Sequence, residues 1–236
     1  MEIKPILFNT EMVRAILDGR KTCTRRIVKD GIPDDAMWGY TAFTPKGYIS
    51  CRGVYADGYG EGFYKLPYQP GDILYVRETW ERFECWNCEG DERGNCPKEP
   101  KKSVLNKTCG CYMYRATDEI SGDAKWHPSI HMPKEAARIW LKVTDVRVER
   151  LRDIDEDGAL REGAQGIRCD HVALGEHGCT DCMNTGWIEP PQVGFMQIWD
   201  STIKKSDIDR YGWDANPYVF VIEFVKIDKP EEIQNA

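Results

Sequence analysis

The sequence predicts a mixed α+β protein: a small β-barrel with peripheral helices and two cysteine-rich insertions. Three observations lead there. Strand-like segments outnumber helical ones and do not alternate with them regularly, which argues against a parallel α/β sheet. Hydrophobic residues make up 41% of the 236 residues, enough for a real core in a single domain spanning 1–236. Most of the ten cysteines cluster in two polar stretches, 81–112 and 168–187, that read as insertions with their own metal rather than as core.

The chain opens with a short strand over Lys4–Phe8 and a helix over Thr10–Asp18. In that helix Met12, Val13, Ile16 and Leu17 form one stripe, Asn9 or Thr10 is the N-cap, and Gly19 is the stop. Residues 31–68 are rich in Gly, Tyr and Pro with weak periodicity, so hairpins and a long ordered loop are equally allowed. Pro70-Gly71-Asp72 is a turn that launches a strand over Ile73–Thr79, apolar on both faces as a barrel strand requires. A strand resumes over Tyr112–Ala116. From Arg138 to Leu151 the alternation changes phase near Thr144-Asp145, which predicts a long strand with a bulge or bend. Asp153–Gly166 reads as a short helix with acids at its positive end and weakened by Gly158. Val193–Ile203 is an amphipathic helix with Phe195, Ile198 and Trp199 apolar, and Tyr218–Ile227 is a β-branched and aromatic strand.

The net charge of −7 excludes whole-surface attraction to nucleic-acid phosphates, so any such contact is a local patch. No apolar run approaches the roughly 18 residues of a membrane helix, and the first nine residues lack the pattern of a signal peptide. The expectation is a cytoplasmic protein with no membrane partner.

Chemistry concentrates in Gly19-Arg20-Lys21-Thr22-Cys23-Thr24-Arg25-Arg26, where four cations and two threonines follow a helix stop. On a strand Thr22, Thr24 and Arg26 share one face, and Lys21 joins them only if the backbone still turns after Gly19. A lysine whose neutral form is favoured by burial and neighbouring arginines can act as base toward a threonine hydroxyl. A solvated basic turn paired with surface acids and a phosphate-binding loop are the other readings of the same residues. Glu78 and Trp80, at a strand end, could read a base by hydrogen bonding and stacking; the alternative is an Arg-paired acid and a lid tryptophan. His127 and His131 lie in a Pro-flanked segment and read as structural.

The cysteine spacing points to zinc. Cys85-x2-Cys88, with Cys96, Cys109 and Cys111, offers five thiols to a tetrahedral site that needs four. Cys85, Cys88 and Cys109 are the common three, completed by Cys96 or Cys111. A second set is Cys169, His171, Cys179 and Cys182, with His177 competing for the place of His171. Both sets are closed, so one or two structural zinc ions are expected and catalysis is not assigned to them. No organic cofactor is expected.

The string Gly19, Lys21, Thr24, Arg26 resembles the signature of the ASCH family. The long phage and prophage branch is matched by the opening KPILFNTEMVRAILDGRKT, the block from Pro70 to Trp80, and the Trp-Asp and NP-x-V-x-VIEF blocks near the end. The small bacterial N4-acetylcytidine amidohydrolase is similar in its Gly-Arg-Lys-Thr-x-Thr-x-Arg string. The resemblance implies a PUA-like barrel, Lys21 and Thr24 as catalytic residues, and Glu162 as third member by the spacing of Ile154 to Glu162. It further implies a modified nucleoside or nucleobase as substrate in a bacterial or phage-infected cell and a linear amide as the bond cleaved, with Arg26 beside the reacting carbonyl; Arg25, Glu78 and Trp80 complete the candidate substrate-binding residues. Arg25 stands where the small enzyme has an apolar residue, so a larger or more anionic substrate is expected. RNA is the second candidate partner, bound without catalysis. The oligomeric state is not predicted.

Overall fold

The structure is a computed structural model describing residues 2–29, 31–84, 110–119, 125–170, 182–183 and 185–230, with backbone alone at 83, 84, 110 and 111. It is mixed α/β and strand-rich. Among the described residues the strands form separate ladders and do not close into a hydrogen-bonded ring.

The main sheet has five strands in the order β1 (Ile3–Leu7), β6 (Ile73–Arg77), β9 (Trp140–Arg150), β12 (Tyr218–Ile227), β2 (Cys23–Ile27). β1 runs parallel to β6, and the remaining pairs are antiparallel. The parallel pair needs a long crossover, and residues 8–72 supply it. They hold α1 (Thr10–Leu17), β2 and the antiparallel sheet β3 (Met37–Gly39), β4 (Tyr48–Tyr55), β5 (Gly58–Lys65).

Asn9 caps α1 by accepting the Met12 N–H at 2.9 Å, and Gly19 ends the turn at φ +75°, a conformation that costs other residues more. In β9 the register against β12 jumps from Asp145↔Glu223 to Val143↔Phe224, so Thr144 is the extra residue of a bulge. The phase change in the sequence is this bulge.

β12 explains its own apolar composition. Phe220, Ile222 and Phe224 enter one cluster with Val13, Ile16, Leu74 and Leu141, while Val219 and Val221 enter a second with Leu151, Ile154, Phe195 and Trp199. Both faces are covered, so alternation with polar residues is not required. The second cluster lies under α2 (Glu156–Arg161) and α3 (Pro191–Thr202), the latter followed by the short α4 (Ile208–Tyr211). Truncating a side chain such as Ile222, fully buried, costs about 2–5 kcal/mol in comparable cores.

The ends of both cysteine-rich stretches are clamped by small ladders. β7 (Trp80–Glu84) pairs with β8 (Gly110–Tyr114), and β10 (Ile167–Arg168) with β11 (Trp187–Glu189). Of the expected zinc ligands, Cys85, Cys88, Cys96, Cys109, His171 and Cys179 lie outside the described residues, as does the competing His177. Cys111 occupies a β8 position opposite Phe83, and Cys169 and Cys182 are buried beside the second ladder.

Candidate functional site

The turn after α1 carries the key side chains inward. The Arg20 and Lys21 N–H groups both donate to Ala15 O at 2.9 Å, so the backbone keeps turning after Gly19 and sends Lys21 toward α2. Thr22 N donates to Arg161 O at 2.8 Å and Phe224 N to Thr22 O at 2.9 Å, and β2 then pairs with β12. Gly163 makes the approach possible: its φ is +89°, and a Cβ there would meet Ala15 Cβ at 2.8 Å and Lys21 Cβ at 3.3 Å.

Lys21 is 2% exposed, and its ammonium donates to Glu162 Oε2 at 2.6 Å and to the Glu162 carbonyl at 2.9 Å. Glu162, the C-cap of α2 and itself buried, accepts on its other oxygen from Arg25 Nη1 at 3.2 Å. Arg25 also donates to Glu149 Oε1 through Nε at 3.1 Å. Burial works against the Arg25 charge, and Glu162 with Glu149 outweighs it, raising its pKa. The buried Cys23 thiol beside this cluster is pushed up to about 12, by burial first and the Glu162 charge second, so it is held as a neutral thiol.

Thr24 is 1% exposed and lines a cavity of about 230 Å³ together with Arg25, Arg26, Glu162, Phe195 and Trp199. Its hydroxyl makes no hydrogen bond with the described residues, and Lys21 spends its described bonds on Glu162. Arg26, half-buried, donates to Leu7 O at 3.0 Å and packs on Phe8, whose ring centre lies 5.6 Å from the guanidinium carbon and 5.7 Å from Lys21 Nζ. Burial lowers the Arg26 pKa, but an arginine keeps its charge at neutral pH.

The remaining sequence candidates sit elsewhere. Glu78 is 1% exposed and is held by both arms of Arg138 at 2.9 Å, with that guanidinium 4.0 Å over Tyr114. Trp80 opens β7, stacks near His127 at 5.2 Å and Tyr112 at 5.7 Å, and exchanges backbone hydrogen bonds with His127. Neither lines the cavity at Thr24. Of the Pro-flanked histidine segment, Pro128 and Ser129 line a neighbouring cavity.

Sequence reasoning missed Glu149 and the role of α3. Phe195, Ile198, Trp199 and Thr202 recur at three- and four-residue spacing, which marks one helix face but not what that face covers. Glu149 is one acid among many in a polar-edged strand, and only the β9–β12–β2 pairing brings it to Arg25.

Chemically, the cluster offers a buried lysine–carboxylate pair, a hydroxyl without a partner among the described residues, two arginines and apolar aromatic walls. Comparison with family models, curated proteins and solved structures finds no match to this chain.

Proposed function

We propose that this protein is an amidohydrolase that removes the acyl group from N4-acylated cytosine nucleosides or related modified bases. The observation that carries the reading is that Thr24 and Glu162 line one cavity walled by Phe195 and Trp199, with Lys21 bonded to Glu162 and the Thr24 hydroxyl without a hydrogen bond among the described residues. A flat base suits such walls. The neutral form of the Lys21 amine, oriented by the Glu162 carboxylate, takes the Thr24 proton as Thr24 Oγ1 attacks the acyl carbonyl. Arg26 or backbone amides hold the oxyanion. Return of the proton to the exocyclic nitrogen releases cytidine and leaves a Thr24 ester. Water activated by Glu162 then cleaves that ester to the free acid.

The architecture in this reading is a PUA-like barrel of the ASCH type, in the cytoplasm of a bacterial or phage-infected cell. One or two structural zinc ions order its cysteine-rich insertions. Burial of Cys169 and Cys182 at a clamped ladder suits closed sites of that kind.

The test is an ultraviolet assay on N4-acetylcytidine with wild type, Lys21→Ala and Thr24→Val. Turnover by wild type and a loss of about 10²–10⁴-fold in both variants is the expected result; absence of wild-type turnover removes the hydrolase. A second reading, a non-catalytic module for RNA or modified nucleic acid, is favoured by one observation: Lys21 bonds Glu162 and not Thr24. Retention of labelled RNA that weakens steeply with salt, without turnover, selects that reading.

A further inference from the structure

Next to the Thr24 cavity lies a second one of about 350 Å³, and the two share Met12, Arg26 and Thr202. Together they form adjoining chambers with Arg26 at the boundary. Their linings differ in chemistry. The first has aromatic walls and the Glu162 carboxylate. The second is lined by Asn9, Thr10, Thr79, Ser129, Thr202 and Arg26 among its polar residues, and among the described residues no acidic side chain belongs to its lining.

Charge accounting sets Arg26 apart. Lys21 is paired with Glu162, and Arg25 with Glu162 and Glu149. Arg26 has no carboxylate within ion-pair distance among the described residues, and its one described hydrogen bond is to the Leu7 carbonyl. A guanidinium carries five N–H donors, so most of them are uncommitted. A positive charge beside hydroxyls and an amide, with no acid among the described lining residues, has the chemistry that receives phosphate oxygens.

From this we infer that the ligand is a nucleotide rather than a nucleoside: its base occupies the Thr24 chamber and its phosphate the chamber of Ser129 and Asn9, held by Arg26. The inference rests on the base-binding reading of the first chamber. It assigns Arg26 to the phosphate and leaves the oxyanion to backbone amides. The phosphate can be the monoester of a free nucleotide or a diester within a strand, since both present the same anionic oxygens.

The experiment measures calorimetric affinities of the full chain for N4-acetylcytidine, its 5′-monophosphate, ribose 5-phosphate, and a trinucleotide with acetylcytidine at its centre. Wild type, Arg26→Gln and Ser129→Asp are compared. The expected result is a gain of about tenfold or more from the phosphate, lost in Arg26→Gln and in Ser129→Asp. Ser129→Asp supplies the answer if Arg26→Gln fails to fold. A trinucleotide that binds better than the monophosphate identifies a strand as the source; a weaker one identifies the free nucleotide. Equal affinity for nucleoside and nucleotide overturns the inference and leaves the base reading standing. Arg26-dependent binding of ribose 5-phosphate with no gain from the base supports the phosphate chamber and overturns the base reading. No binding of any probe overturns both.

Discussion

Lys21 and Glu162 illustrate how a buried ion pair constrains its own residues. Their side chains are 0% and 5% exposed, so removing Glu162 leaves the Lys21 ammonium without its carboxylate, and removing Lys21 leaves Glu162 with Arg25 alone, in a medium that solvates charge poorly. Lys21→Met or Glu162→Gln alone is expected to cost about 3–5 kcal/mol in urea unfolding, whereas the double variant recovers much of that loss. A double variant as unstable as the sum of the two would show that the pair is not coupled. Thr24 behaves differently: its hydroxyl has no partner among the described residues, so Thr24→Val should change stability by less than about 1 kcal/mol while bearing directly on the proposed chemistry. Asp72 is a third case. Burial opposes its ionisation, but hydrogen bonds from Lys4 Nζ and from the Gln69 and Glu2 N–H groups outweigh it and hold the carboxyl below its usual range. The folded state therefore binds that proton less readily than the unfolded chain. The stabilisation is complete above the unfolded value, near pH 4, and is lost as pH falls through the folded one. Asp72→Asn should lower stability at neutral pH and flatten the acid limb of the stability curve; an unchanged acid limb would remove this account.

At the scale of elements, the site depends on how closely α2 lies against the turn after α1. Gly163 and Gly158 are the contact points. A Cβ on Gly158 would sit 2.9 Å from Asp155 Oδ1 and 3.3 Å from Arg25 Nη2. The glycine that weakens α2 as a helix is thus the one that lets Arg25 pass beneath it. Gly163→Ala meets both a positive φ and a contact with Ala15, and should cost about 1–3 kcal/mol. Because the strain falls beside Lys21, it should also reduce binding or turnover at the site, in contrast with Gly58→Ala, whose added Cβ meets nothing within 4 Å. Thermal unfolding of the two variants, both at positive φ, separates the packing contribution from the backbone one.

For the whole molecule, the main sheet and the cysteine-rich stretches are separate undertakings. The sheet has its own apolar clusters, while the stretches join it through two short ladders, the first packing Trp80, Tyr112 and Tyr114 against the cluster of Ile73, Tyr75 and Trp140. Zinc should therefore be needed for the insertions and not for the sheet. Metal analysis of the purified protein is expected to give one or two zinc ions per chain, and Cys182→Ser to remove one. The cooperative unfolding of the sheet should persist in that variant. Loss of all folded signal on chelation would instead make the metal part of the main core. No helix among the described residues is long and apolar enough to cross a membrane.

The sequence by itself determined whatever depends on near neighbours. The Asn9 cap, the Gly19 stop, the bulge at Thr144 and the limits of the Tyr218–Ile227 strand were legible because caps, turns and alternation are local chemistry. Lys21, Thr24 and Glu162 were singled out from a string and a spacing carried by resemblance. Residues 31–68 resisted reading because their strands are glycine-rich and leave side chains such as Tyr59 and Val54 exposed, so the few residues they turn to the core, Ile49 and Tyr64 among them, leave no clear alternation. Tertiary structure alone decided that Glu78 answers Arg138, that Glu149 grips Arg25, and that α3 walls the Thr24 cavity. Those contacts join residues 60 and 124 positions apart in the first two cases. No local pattern encodes which of many acids a buried arginine will meet; the pairing of β9, β12 and β2 brings Glu149 and Arg25 together.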